Sequence, residues 1–240
     1  VAADAAGNAF AVWFQWDGER NNIWSNRYDS SSDSWGLPEL VETEDTGTAG
    51  AAQLVANANG DAAVIWIQND GTQDNVWVRT FDAATTTWGE VTMIADEEGD
   101  ASRPQISMSD TGHIFATWMH YDSGRFNVWS NSYSPSLSTW GRHELLETND
   151  AGNAWDPQVS ADASGDAMFV WAQSDGAVQS IWARRFDADA SGWSSPTLLE
   201  TDDVGDAELP QVATDASGNA YVTWTQFDGA RSSLYANVFR

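Results

Sequence analysis

The chain has 240 residues, no cysteine, and a formal net charge of −26 from 36 acidic residues against ten basic ones, all of them arginine. That length suits one large domain with its own core, while the missing thiols exclude disulfides and thiolate metal sites. The negative field works against nucleic-acid and anionic-membrane partners, and no apolar run reaches the ~18 residues that a membrane-spanning helix needs.

The first ten residues, Val1 to Phe10, lack the basic start and apolar centre of a signal peptide and begin inside a repeat. The chain therefore reads as a mature product or an excised domain. The first module covers about residues 1–54. It runs from a turn at Asp4 and Gly7 into an apolar strand ending near Trp13, then through Asp17-Gly18 to Trp24, Trp35 and Pro38. The second, about 55–106, repeats this with Gly60, Trp66, Asp70-Gly71, Trp77 and Trp88. The third, about 107–159, carries Gly112, Trp118, Trp129 and Trp140. The fourth, about 160–212, carries Gly165, Trp171, Asp175-Gly176, Trp182, Trp193 and Pro196. The partial fifth, 213–240, carries Gly218, Trp224, Asp228-Gly229 and Tyr235. The five glycines stand 53, 52, 53 and 53 residues apart, each six residues before its Trp.

Each module predicts four short strands. Gly supplies the positive φ of the first turn, and Asp-Gly marks the hairpin between the second and third. The second strand is apolar on both faces, as suits a strand packed between neighbours. The third alternates, with Trp182, Arg184 and Phe186 on one face. Pro38 and Pro196 suit an outer edge strand, where a missing N–H costs little. Nothing has a sustained helical period. A four-stranded module cannot bury both faces alone, so stacking in a ring completes the core. The expected fold is all-β, a β-propeller of about five four-stranded blades forming a single domain over 1–240, with the last blade lacking its outer strand. The repeat columns take thirteen of the fifteen Trp and are assigned to packing.

The D-x-x-G-x-x-x-x-x-W turns, such as Asp4 to Trp13 and Asp215 to Trp224, resemble the Asp-box turns of sialidase-type propellers. The module as a whole resembles bacterial secreted repeat proteins, and its architecture is similar to that of five-bladed tachylectin-like lectins. These resemblances imply the fold rather than a function.

Alternate connections share a side of the disc, so the turns between strands two and three lie on one upper face with the links between modules. Two features there stand outside the repeat. One is Trp155, whose counterparts are Gly50, Ser102 and Glu208. The other is an aromatic-Asp-x-x-Arg turn present in three modules: Trp16, Asp17 and Arg20; Tyr121, Asp122 and Arg125; Phe227, Asp228 and Arg231. Modules two and four have Asn69 and Ser174 for the aromatic, and Gln73 and Val178 for the Arg. A ring to stack on, beside a guanidinium and a carboxylate, is how a sugar's two faces are met. The links are acidic (Glu42 to Gly47, Asp96 to Asp100, Glu147 to Asn153, Glu200 to Asp206), so bound calcium is considered, although the spacing is not that of an EF-hand.

No catalytic residues are predicted. The three His (His113, His120, His143) lack metal-ligand spacing, no Tyr-Glu pair is evident, and near-equal modules lack the asymmetry of a single active site. The expected function is a secreted or cell-surface, non-enzymatic, lectin-like module that binds glycan or another extracellular polymer on its upper face. The alternative is a structural or protein-interaction module that recruits other chains through the open last blade, and a glycosidase-like enzyme comes third.

Overall fold

The structure, a computed structural model, describes residues 1–43, 46–95, 98–122, 124–148, 151–174, 176–200 and 204–240. Among the described residues there is no helix; five antiparallel sheets follow one another along the chain. The expected propeller blades are these sheets. Blade 3 shows the pattern: Asp100–Met108 inside, then Ile114–Asp122 and Arg125–Ser134, with the two short pieces Thr139–Trp140 and Glu144–Leu145 both paired to the third strand. The outer strand is thus broken in two in blade 3, and the same break recurs in blades 1, 2 and 4. In blades 1 and 4, Pro38 and Pro196 lie in the gap, where a residue without N–H loses nothing. Blade 5 has three strands, Ala207–Thr214, Ala220–Phe227 and Ser232–Phe239.

The tryptophan columns become cross-strand pairs. Trp13, Trp66, Trp118 and Trp171 sit opposite Trp24, Trp77, Trp129 and Trp182, and Trp224 sits opposite Tyr235. Opposed aromatics on one face lock the register, because a one-residue slip would turn every ring over. The middle strands are buried on both sides. In Ala62–Asn69, Val64 and Trp66 face blade 1, Ala63 and Ile65 face blade 3, and all four are fully buried. The Trp nitrogen is satisfied within the seam: the indole of Trp66 donates to Gln68 Oε1 at 2.9 Å, and that of Trp171 to Gln173 Oε1 at 3.1 Å.

Blades pack in chain order, each on the next, and no comparable packing joins blade 5 to blade 1 among the described residues. Trp66, Trp118, Trp171 and Trp224 are at most 4% exposed, but Trp13 is only half-buried because no sheet covers its face. The assignment of this Trp column to packing thus holds fully for four of its five rings. At the other end Tyr221, Leu234 and Val238 are exposed. The amino-terminal pair Ala2–Ala3 joins its own blade, against Ala9 and Phe10, and so does not cover the last strand.

Close packing fixes the upper face. A Cβ added at Gly99 would collide with the backbone of Tyr121, and one at Gly205 with Phe227, so each link needs a glycine where it crosses the end of the second strand. The next link residue ties neighbouring blades. Thr48, Asp100, Asn153 and Asp206 each accept an N–H at the start of the preceding blade's third strand, from Asn21, Asp74, Phe126 and Gln179 at 2.8–3.0 Å.

Candidate functional site

The hairpin turns show what the conserved-looking Asp does. Asp17 Oδ1 accepts the backbone N–H of Glu19 and Arg20 at 2.8 and 3.0 Å, and Oδ2 accepts the Asn22 amide at 2.8 Å. The Arg20 amide, then that of Glu19, then the Asn22 side chain hold its carboxyl down to about 2. Asp70, in a module with neither the aromatic nor the Arg, does the same with Thr72, Gln73 and Asn75. Asp228 caps Ala230 and Arg231, and Asp122 accepts from Asn127. The Asp is therefore a turn cap.

The Arg position is also partly structural. Arg20 Nε donates to Asn22 Oδ1 at 3.3 Å, and Gln73 Nε2 donates to Asn75 Oδ1 at 3.2 Å in the equivalent place. Arg231 is 82% exposed and lies 3.7 Å from Asp228. Trp16 on blade 1 and Phe227 on blade 5 are exposed, each on its own turn, and neither joins another aromatic among the described residues. Three equal units therefore do not form one site.

One junction differs. Tyr121, 45% exposed, lies 5.0 Å from Phe126 across its hairpin, and Phe126 lies 4.6 Å from Trp155 of the next blade at an interplanar angle of 40°. The structure thus joins two of the expected residues, Tyr121 and Trp155, through a third that the sequence reading missed. The signal was present: the column Asn21, Asp74, Phe126, Gln179, Ser232 has one aromatic, and it occurs where the neighbouring columns supply Tyr121 and Trp155. The Phe126 N–H is fixed by Asn153 Oδ1, which holds the ring over the junction.

Polar groups flank this platform. Arg125 precedes Phe126 and is half-buried. Beside Trp155, Asp156 forms an ion pair with Arg103 of blade 3. Both sit on β-bulges with positive φ, 49° at Arg103 and 50° at Asp156, where the register of the inner strand shifts. A bulge re-aims its side chain; the same positive-φ bulge recurs at Ala51 and Leu209, so it belongs to the inner strand of each blade from the second to the fifth, and only at this junction does it carry an Arg and an Asp that pair. Beneath the turn, Glu147 is 2% exposed and accepts the Val128 N–H at 3.0 Å. Burial pushes its carboxyl up to about 7, against the pull of Val128 and of Arg125.

The acidic links do not gather into a metal site among the described residues. Asp100, Asn153 and Asp206 are occupied as strand caps. Glu44, Asp45, Asp96, Glu97, Asn149, Asp150, Asp202 and Asp203, on which the calcium expectation also rested, lie outside the described residues, as do Ser123 and Asp175 of the turns.

No family model matches the chain, and no curated sequence does. Solved structures match over nearly its whole length. A protein of unknown function from Dyadobacter fermentans matches with TM-score 0.59 at 12% identity, over 98% of this chain and 74% of its own. An ulvan lyase, a polysaccharide lyase solved with a bound saccharide, matches with TM-score 0.62 at 10% identity, over 98% and 65%. The intramolecular trans-sialidase of Ruminococcus gnavus, in complex with oseltamivir carboxylate, matches with TM-score 0.52 at 12% identity, over 98% and 59%. The chain thus spans about two thirds of the length of these proteins. The likeness is one of fold.

The expectation that the chain is not an enzyme is overturned by these matches, because the same fold carries a polysaccharide lyase and a trans-sialidase. Its physical premise also fails. Equal modules were taken to lack the asymmetry of a single site, yet among the described residues the Tyr121–Phe126–Trp155 platform exists at one blade junction.

Proposed function

We propose that the chain is a carbohydrate-active propeller that holds a glycan across the upper face at the junction of blades 3 and 4. The observation that carries this reading is the partly exposed aromatic run Tyr121–Phe126–Trp155, which bridges the two blades beside the Arg103–Asp156 pair. A pyranose ring lays its C–H face on such rings, while guanidinium and carboxylate groups take its hydroxyls. Arg125 brings positive charge to this junction beside the Arg103–Asp156 pair, so an acidic group on a sugar can meet a countercharge there. The resemblance to a polysaccharide lyase and a trans-sialidase supports a glycan as substrate.

The test is incubation with a panel of uronate-bearing, sulfated and neutral polysaccharides, following retardation in affinity gels, new reducing ends and the absorbance of unsaturated products. Retardation or product formation that is lost in the Tyr121→Ala, Trp155→Ala double variant supports the reading. A panel that gives neither, or effects untouched by the double variant, overturns it.

A further inference from the structure

A cleft opens away from the upper face, on the rim between blades 2 and 3. Along the third strands one position reads Asn26, Arg79, Asn131, Arg184, Asn237. Where it is Arg, the guanidinium fills the seam to the preceding blade. Arg79 donates to the carbonyls of Gly89, Leu40 and Val41. Arg184 donates to Ser194 and Leu145 and lies over the Trp193 ring at 5.0 Å. Where it is Asn, the side chain stops short: Asn131 reaches only the Ile94 carbonyl, at 3.2 Å.

A second change enlarges the same gap. The residue that one blade turns toward the next at the start of its second strand is Phe10 in blade 1 and Phe115 in blade 3, but Ala63 in blade 2. Phe10 packs 5.9 Å from Trp88, and Phe115 packs 5.3 Å from Phe186, which itself abuts Trp193. Trp140, the equivalent ring of blade 3, has only Tyr133 as an aromatic neighbour among the described residues, at 5.8 Å.

The result is a cleft of about 880 Å³ between blades 2 and 3, against grooves of about 350 Å³ between blades 1 and 2 and about 280 Å³ between blades 3 and 4. Blade 5 also carries Asn, but without an outer strand it offers no second wall. Glu90, Thr92 and Met93 line one wall, and Trp140, Arg142 and His143 the other.

We propose that this cleft binds a neutral oligosaccharide of a few sugars, independently of the upper-face site. Its volume lies within the range of small-ligand sites, ~300–1,000 Å³. The Trp140 and Tyr133 rings beside Thr, Glu, Asn and Arg side chains, with Val78, Met93 and Ile94 between them, match a sugar's mixed faces. Glu90 and Arg142 bring one charge of each sign, so a neutral ligand leaves neither wall facing a like charge.

The experiment titrates neutral tetrasaccharides built from glucose, xylose, mannose and galactose against the chain, reading tryptophan fluorescence and the methyl NMR signals of its four methionines, of which Met93 alone lines the cleft. At least one saccharide is expected to bind at sub-millimolar concentration and shift the Met93 signal. Asn131→Arg should refill the seam as Arg79 and Arg184 do, abolishing binding while the melting temperature is kept or raised. Trp140→Ala should weaken binding tenfold or more, and Tyr121→Ala should leave it unchanged. No binding by any of the four, binding that survives Asn131→Arg, or binding lost in Tyr121→Ala and not in Trp140→Ala overturns the proposal. The last of these outcomes would leave the upper-face reading standing.

Discussion

Trp155 of the fourth blade packs at 4.6 Å against Phe126 of the third, the rings tilted by 40°, so the two blades share an aromatic contact on the upper face. Phe126 is the middle ring, and its loss separates Tyr121 from Trp155. Phe126→Ala should therefore weaken glycan binding more than either outer substitution. Each outer ring is expected to contribute about 0.5–1.5 kcal/mol, roughly a two- to twelvefold change in affinity. Trp16→Ala and Phe227→Ala should bind as wild type, because those rings stand apart. Equal losses for Trp16→Ala and Trp155→Ala in a polysaccharide titration would count against a single platform.

The four tryptophans between blades and their half-covered homologue give a graded stability series. Trp66 is fully buried with its indole N–H satisfied by Gln68, so Trp66→Ala should cost about 3–5 kcal/mol. Trp13 occupies the same repeat position with one side uncovered and should cost clearly less. Trp16, 59% exposed, should cost little. Urea midpoints for the three variants check this order, and a Trp13 loss matching that of Trp66 would mean that its face is covered in solution.

Much of this was legible in the sequence. A 53-residue repeat with three aromatic columns is a local, periodic signal, and it specifies four strands and their stacking without any long-range knowledge. What escaped was relational. Asp100, Asn153 and Asp206 read as free acidic or amide ligands for calcium, whereas each caps a strand of the preceding blade some 26 or 27 residues away. Asp17, Asp122 and Asp228 read as members of a sugar-binding unit because they stood beside an aromatic and an Arg, yet Asp70 makes the same turn without either. Phe126 was passed over because attention went to residues shared by several modules. A single site on a repeat protein is marked by the residue that one module alone carries.

Glu147 makes folding depend on pH. Its carboxyl is raised from 4.5 to about 7, first by burial, with Arg125 pulling it down and Asp122 pushing it up. The folded state therefore holds a proton between pH 4.5 and 7 that the unfolded chain has released. Stability is highest below this window, falls as pH rises through it, and stays reduced above pH 7, by on the order of 3 kcal/mol at most. Glu147→Gln keeps an acceptor for the Val128 N–H and removes the charge. It should raise the melting temperature at pH 8 and leave it nearly unchanged at pH 4.5. A variant less stable than wild type at pH 8 would show that the carboxylate is better satisfied in solution.

The last blade invites association. Among the described residues its third strand, Ser232–Phe239, has no outer strand beside it, and Leu234 and Val238 are 75% and 43% exposed on a face that every other blade covers with its neighbour. An unpaired edge beside an apolar face templates further pairing. At the other end, blade 1 turns the half-buried Trp13 outward, the same kind of face that covers blades 1 to 4 within the chain. Copies of the chain should therefore associate head to tail, last blade to first, a heterologous contact that need not close at two copies. Sedimentation velocity over a hundredfold range of concentration should show a rising mean mass. Leu234→Lys with Val238→Lys should hold the chain at one copy, and Trp13→Lys should do the same from the other side. A single species at every concentration would mean that both faces tolerate water. Association that persists in the Leu234, Val238 variant and stops in the Trp13 variant would mean that two first blades meet.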